Sequence, residues 1–422
     1  MCRRGTLSCY SCSSGCAIPQ PMPLPQVPHR IRNIQLTFCS MFISFLIFCI
    51  IVLLLCPTLV WLLCWIVARL CHHSIPFAPF GYTGLALVLL FCCTMLYGYW
   101  FGRKQLRVTE TTYTSPKVPS SFDGYKIVHI SDLHLSSVAD SPKFLLRIID
   151  SINAQQPDLI CFTGDFVGFG VEEAIPFTHM LRQLHAKDGI MSVLGNHDFA
   201  LYHHGLTDAK KEEKVNQLTT YQRDTLGWQL LRNQSYLIQR DSAYLQIIGV
   251  DNTSCQGQGF QTISQGDLPA AMTFLIQESG TKSQDISVTT KQTEVISLDS
   301  LFLAPESKIM QILLTHDPSH WRGEVVPTTD IPLTLSGHTH AGQVRLFGYP
   351  LSSLMFTESE GWYHTTLNNT TPHYTTLHNA TPHYTTLHHA TQSLHINTGL
   401  GCTLPVRLGV PAEITVITLQ TQ

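Results

Sequence analysis

Five short patches of oxygen and imidazole donors follow one another in the sequence beyond residue 130. They are Asp132-Leu133-His134, Gly164-Asp165, Gly195-Asn196-His197-Asp198, Thr315-His316-Asp317 and Gly337-His338-Thr339-His340. Side chains two apart on an extended segment point the same way, so Asp132 and His134 can reach one ion together. Gly164 permits a sharp backbone turn that would project Asp165 into a cleft, and Asn196 can offer a neutral carbonyl oxygen. Mixed carboxylate and imidazole ligation suits borderline ions such as Mn, Fe or Zn. Taken singly, such a patch is more often a surface loop or a satisfied core histidine. Five in series make a stronger signal.

Elements that could position these patches are visible around them. Short runs rich in Ile, Val and Leu predict strands at 126–130, 158–162, 190–194, 244–250, 310–314, 333–335, 394–397 and 413–419. Helices are expected at 142–154, 172–185 and 210–226, the first capped by Ser141 with Pro142 in its opening turn. Such alternation is the mark of βαβ units. Each donor patch then falls at the carboxyl end of a strand, where ligand sites of open α/β sheets lie. His129 lies beside the first patch but on the other side of its strand, as a core residue would.

Two insertions interrupt this pattern, at 276–307 and at 363–391. The second is a decamer repeat: 371–380 recurs as 381–390, and a worn copy precedes them at 361–370. Its histidines (His373, His378, His383, His388 and His389) invite a metal-binding reading, but a duplicated loop without chemistry explains them more simply. The period is too short for a solenoid.

The N-terminal third has a different composition. Residues 1–33 form a Cys- and Pro-rich tail in which Cys9, Cys12 and Cys16, with Cys2, have spacing compatible with a metal; a disordered tail is the preferred reading. Apolar runs follow at 34–68 and 81–101, against the roughly 20 residues a bilayer core requires. Both are too long for a cleaved signal peptide, and Pro57 would kink or divide the first. The expectation is a multi-pass membrane protein with a transmembrane region at 34–102, then a linker at 103–124. Arg3, Arg4, Arg30 and Arg32 precede the first run, and Arg103, Lys104 and Arg107 follow the second. With two spans, that asymmetry places both the N-terminus and the C-terminal domain in the cytoplasm.

Charged residues make up 13% of the chain, and the formal net charge is −3. Nothing supplies the basic field of a nucleic-acid partner, which also weakens a nuclease reading. Of 14 cysteines only Cys161, Cys255 and Cys402 lie beyond residue 102, too few and too scattered for a disulfide framework.

The ordered patches D-x-H, G-D, G-N-H-D, H and G-H-x-H resemble the calcineurin-like metallophosphoesterase superfamily. Gly337-His-Thr-His-Ala-Gly-Gln343 and Gly399-Leu-Gly-Cys-Thr-Leu-Pro-Val-Arg407 are similar to signatures of a membrane-associated bacterial phosphodiesterase branch. Gly168-Phe169 stand where the protein-phosphatase branch has Asp-Arg, which disfavours that activity. The resemblance implies an α/β four-layer sandwich, two mixed β-sheets flanked by helices, over 125–422, with an N-terminal transmembrane segment. It implies two divalent ions (Mn, Fe or Zn), one held by Asp132, His134, Asp165 and His340, the other by Asp165, Asn196, His316 and His338. A metal-activated hydroxide would attack the phosphorus of a phosphodiester substrate near the membrane, with lipid-linked phosphates among the candidates. His197 would be the general acid, with Asp198 orienting its ring. Arg407 either assists phosphate binding or forms a plain salt bridge. The competing reading of another class is a membrane sensor or scaffold that uses its metals structurally.

Overall fold

The computed structural model describes residues 29–203, 205–273, 308–368, 371–376 and 390–422. The tail cysteines Cys2, Cys9, Cys12 and Cys16, the insertion at 276–307, and His378, His383, His388 and His389 of the repeat lie outside the described residues.

Two apolar helices come first: α1 (His29–Leu70) and α2 (Ala78–Trp100). The windows Phe42–Leu70 and Ala78–Lys104 are long and apolar enough to cross a membrane. Pro57 lies inside α1 without dividing it. The two helices touch where Gly84 of α2 meets Leu53, Leu54 and Pro57.

Strands and helices then alternate. They are β1 (Leu106–Ser115), β2 (Lys126–Ile130), α3 (Leu135–Val138), α4 (Pro142–Ala154), β3 (Leu159–Phe162), α5 (Thr178–Leu181), β4 (Ile190–Ser192), α6 (Asp208–Thr220) and β5 (Gln229–Leu230). Next come β6 (Gln234–Arg240), β7 (Ala243–Gly249), α7 (Leu268–Met272), β8 (Lys308–Leu314) and β9 (Leu333–Ser336). The chain ends with a small hairpin of β10 (Arg345–Leu346) and β11 (Tyr349–Pro350), then β12 (Gly361–Asn368), β13 (Thr371–Thr376), β14 (Ala390–Ile396) and β15 (Ala412–Thr421).

These strands form two mixed sheets, ordered β1-β15-β2-β3-β4-β5 and β13-β12-β14-β9-β8-β7-β6. Period-two alternation explains how they stack. Ile127, Leu159, Cys161 and Met191 of the first sheet pack with Leu245, Ile247, Met310, Ile312, Leu333 and Leu335 of the second. The alternate residues Val128, Ile130, Ile160 and Phe162 instead meet Phe144, Leu145, Ile148, Ile149 and Ile152 of α4. On the far side of the second sheet, Ile248 and Leu313 pack with Leu268 of α7 and with Trp321 and Val325. The result is the expected four-layer α/β sandwich.

Three local expectations fail for identifiable reasons. The segment 103–124, expected as a linker, contains β1, which pairs in parallel with β15 over its whole length. Its Thr-rich composition suits a strand, but the partner lies some 300 residues away in the chain. The helix expected at 172–185 is broken into turns at Val171–Glu173 and Ile175–Phe177 before α5. Pro176 cannot continue a helical ladder, and Glu173 turns inward to accept backbone N–H groups of Ser136, Gly168 and Phe169. The insertion expected at 363–391 begins inside β12, whose aromatic and Thr residues suit a strand and which pairs with β14 in the second sheet; the helix expected at 210–226 is present, as α6 passing into a wider helical turn, Tyr221–Thr225.

Ile312 is fully buried between the sheets, whereas Ile175 is 57% exposed. Ile312→Ala should therefore destabilise the chain by about 3 kcal/mol, the usual cost of such a cavity, while Ile175→Ala should cost far less. Thermal unfolding of the two variants in detergent checks this; equal shifts would mean the sheets do not enclose a shared core.

Candidate metal centre

Strands β2, β3 and β4 run parallel, as do β8 and β9. Their carboxyl ends therefore open together, and the loops leaving them meet across the seam between the sheets. Sheet one delivers Asp132, His134, Asp165, Asn196 and His197; sheet two delivers His316, His338 and His340. Backbone contacts fix this convergence: Asp132 N–H donates to Gly164 O at 2.9 Å and His134 N–H to Asp165 O at 3.1 Å. Across the seam, His338 N–H donates to Asp132 Oδ2 at 3.0 Å. Gly164 takes φ +95°, the turn expected of it, and a Cβ there would lie 2.8 Å from His316 Nδ1. Asp132, His134, Asp165, His338 and His340 all have positive φ, an uncommon conformation for residues other than glycine and one that concentrates at functional sites.

The donor atoms lie close together. His340 Nε2 is 3.2 Å from Asp132 Oδ1 and 3.1 Å from His134 Nε2. Asp165 Oδ2 stands between imidazoles of both sheets, 3.5 Å from His134 Nε2 and 3.2 Å from His316 Nε2. His338 Nδ1 is 3.3 Å from His316 Nε2. Three sets of donor atoms are close enough to hold an ion: Asp132, His134 and His340; His134, Asp165 and His197; and Asp165, His316 and His338.

Two features indicate that cations fit here. Asp132 Oδ1 and Asn196 Oδ1 are buried without a hydrogen-bond partner among the described residues, a costly condition unless another ligand satisfies them. His316 donates from Nδ1 to Thr163 O at 2.6 Å, which makes Nε2, 3.2 Å from Asp165 Oδ2, the nitrogen a cation would take once its proton is displaced.

The charge balance points the same way. Burial works to raise Asp132, but His340 and His316 outweigh it and hold the carboxyl well below its ordinary value. Asp165 is likewise low: burial is opposed by His316 and His197. Two buried carboxylates thus keep their charge. In the ion-free chain the imidazoles compensate, since burial lowers His316 but Asp165 and Asp132 raise it to about 10. His134 is also raised, as Asp132 and Asp165 overcome its burial. His340 and His197 are lowered by burial to about 4. A divalent cation would take over the compensating role of the protons.

Six of the seven expected ligand residues fall in these sets, and His197 joins them; Asn196 stands next in the chain to His197, whose N–H donates to Asp165 Oδ1 at 2.8 Å. Asp198 does not behave as expected. It makes no hydrogen bond with the His197 ring; its carboxylate accepts the backbone N–H groups of Phe166, Val167 and Gly195. Asp198 therefore fastens the Asp165 turn to the Asn196 loop, and burial with Asp165 nearby pushes its carboxyl up to about 7. The His197 ring is set instead by Nδ1 donating to Gly168 O at 3.1 Å and by Tyr202, whose ring lies 4.3 Å away. Tyr202 also accepts from Asn196 Nδ2 at 3.0 Å, a role no sequence spacing announced.

Arg407 meets neither expectation. It is fully buried, and its guanidinium donates to the carbonyls of Thr398, Gly399, Gly401, Val410 and Pro411. Its Nη2 is 3.3 Å from His340 Nδ1. Arg407 thus braces the loop behind His340, its guanidinium taken up by backbone carbonyls. His129 is buried as expected, with Nδ1 3.0 Å from His395 Nδ1.

Because His316 and His134 are raised in the ion-free chain, loading Mn²⁺ or Zn²⁺ at neutral pH should displace protons. Calorimetric titration in buffers of different ionisation enthalpy should show a binding heat that changes with buffer. A buffer-independent heat would contradict the proposed charge exchange.

A family model described as calcineurin-like phosphoesterase matches residues 125–342, just over half of the chain's 422 residues. The uncharacterized metallophosphoesterase YkuE of Bacillus subtilis (strain 168) is 29% identical over 349 residues, covering 76% of this chain and 90% of YkuE. The UDP-2,3-diacylglucosamine pyrophosphatase LpxG of Chlamydia trachomatis serovar D is 43% identical over 99 residues, 23% of this chain and 30% of LpxG. A transmembrane protein with metallophosphoesterase domain from Danio rerio is 23% identical over 289 residues, covering 68% of this chain and 56% of its own. The chain belongs to the calcineurin-like phosphoesterase family and is a hydrolase of phosphoric ester bonds.

Proposed function

We propose that the chain is a membrane-anchored phosphodiesterase that works with two divalent ions at the seam between its sheets. The observation that carries this reading is the placement of Asp165 Oδ2 between His134 of one sheet and His316 of the other. A carboxylate shared between sites lowers the repulsion of two dications. Asp132, His134, Asp165 and His340 would hold one ion; Asp165, Asn196, His316 and His338 would hold the other. Such ions, when bound, supply charge neutralisation at the phosphoryl oxygens and acidify water.

The remaining groups do the positioning and the proton transfer. Asp198 keeps the Asp165 turn and the Asn196 loop in register through three backbone amides. His197, neutral while the site is free of substrate, gains proton affinity beside an anionic phosphate and donates to the leaving-group oxygen. Tyr202 and Gly168 O hold its ring in place for that transfer. Arg407 keeps His340 aligned from behind.

A lipid-linked diester is the substrate class this reading favours. The apolar helices would hold the centre near a bilayer, and LpxG is by its name a pyrophosphatase of UDP-2,3-diacylglucosamine. Two spans would return the chain to the side on which it began, and the arginines that precede the first apolar run (Arg3, Arg4, Arg30 and Arg32) would make that side the cytoplasm.

Purified full chain in detergent should hydrolyse bis-p-nitrophenyl phosphate with Mn²⁺, lose the activity to a chelator and regain it on metal return. Asp165→Ala or His338→Ala should lower turnover beyond the roughly 10- to 100-fold typical of outer-sphere changes; undiminished turnover would remove these residues from the centre. His197→Ala should slow esters with poor leaving groups more than nitrophenyl esters, since a good leaving group needs little protonation. Equal losses for both would take the acid role away from His197.

A further inference from the structure

Between the metal centre and the end of α2 lies a surface that the chemistry does not use. From Leu346 to Phe356 the sequence carries no charged residue. It forms the β10–β11 hairpin, with Phe347 and Gly348 at its tip, followed by the turn Leu351–Leu354. Its apolar side chains point outward: Leu346 is 55% exposed, Phe347 101%, Tyr349 71% and Leu354 80%. Leu351, Met355 and, on the adjoining loop, Leu404 extend the patch. A soluble surface of this size and polarity normally marks a contact site.

The base of the hairpin is fixed on both sides. Val344 bridges to Leu408, and Arg345 N–H donates to Leu408 O at 2.8 Å. The Gln343 side chain ties in the neighbouring loop through Leu404 O and Val406 O. Arg345 pairs with Glu360. The exposure of the tip is therefore that of an anchored element.

What covers the patch follows from what it adjoins. Leu408 packs against α2: a Cβ built on Gly98 would stand 2.8 Å from Leu408 Cδ2, and one on Gly102 only 1.9 Å from Arg407 O. Arg103, one turn further, is buried against Ser137 O and Asp140. The last turn of α2 is thus built into the catalytic domain, with Leu408 between it and the base of the hairpin. That turn carries Tyr97, Tyr99, Trp100 and Phe101, with Trp100 57% and Phe101 63% exposed. Aromatic residues of this kind gather at the membrane–water boundary. The other flank of the patch reaches the metal centre, where the Phe356 ring lies 5.6 Å from that of His338.

We propose that the hairpin 345–350, the turn 351–355 and Leu404 form a membrane-inserting surface whose partner is the lipid bilayer. The surface continues the aromatic boundary of α2 and seats the mouth of the metal centre at headgroup level. A lipid phosphate would then reach the centre without leaving the bilayer. This inference rests on the reading of α1 and α2 as membrane helices, and it holds whatever ester is cleaved.

The test uses the full chain reconstituted in vesicles of phosphatidylcholine and phosphatidylglycerol, with p-benzoylphenylalanine in place of Phe347, of Leu354 or, as reference, of the exposed Asp241. Illumination should attach several-fold more labelled phospholipid at positions 347 and 354 than at 241. Lipid attachment at 347 and 354 no greater than at 241, or attachment there to a second copy of the chain instead, would overturn the proposal while leaving the anchor intact. Failure of the chain to float with the vesicles would overturn the anchor and the surface together. No turnover is required, so a chain that hydrolyses no ester still gives a decisive result.

Discussion

Two ionised carboxylates, Asp132 and Asp165, are buried side by side among four imidazoles, and the rest of the domain is organised around keeping them there. Removing such charges from water costs several kcal/mol each unless partners compensate. Here the compensation comes from His134 and His316, contributed by loops of two different sheets. The cost is compounded by the backbone, because five of the clustered residues occupy positive φ, a strain of order 1–3 kcal/mol apiece for residues other than glycine. A protein keeps such an arrangement only where the surrounding structure over-determines it. Cations would relieve both the charge and the unpartnered oxygens of Asp132 and Asn196.

The architecture supplies that over-determination. Parallel strands make all the relevant loops emerge from one edge of each sheet, and the hydrophobic layer between the sheets fixes their relative height. Hydrogen bonds then lock the seam, His338 N–H to Asp132 and His316 to Thr163 O, while the Asp198 carboxylate ties two loops of the first sheet together through three amides. Behind the centre, Arg407 gathers the carbonyls of its own loop and abuts His340. That same loop receives the end of α2 at Gly98 and Gly102. The apolar N-terminal region is consequently continuous with the support of the metal centre, rather than joined to it by a free tether.

The strands flanking the donor patches were legible because period-two alternation and Ile/Val enrichment are local properties. Expected and observed strands agree within a few residues at 126–130, 310–314 and 333–335. What escaped a linear reading depended on distant partners. β1 is an ordinary Thr-rich stretch until β15 pairs with it. Glu173 looks like a helical residue until the loop at Gly168 and Phe169 claims its carboxylate. Asp198 and Arg407 carry charges that suggest substrate or ring contacts, yet each is consumed by backbone groups that only the folded chain brings within reach.

By itself, the sequence determined which residues carry donors of the kind a divalent ion takes, their order along the chain and their position at strand ends, together with two runs apolar enough for a bilayer. Residue chemistry and local periodicity suffice for those. Only the tertiary structure decided that loops of two sheets face one another, that Tyr202 rather than Asp198 lies against His197, and that an uncharged hairpin stands beside the end of α2. These facts are distances between residues far apart in the chain. They are set by the packing of one sheet on the other, which no local pattern encodes.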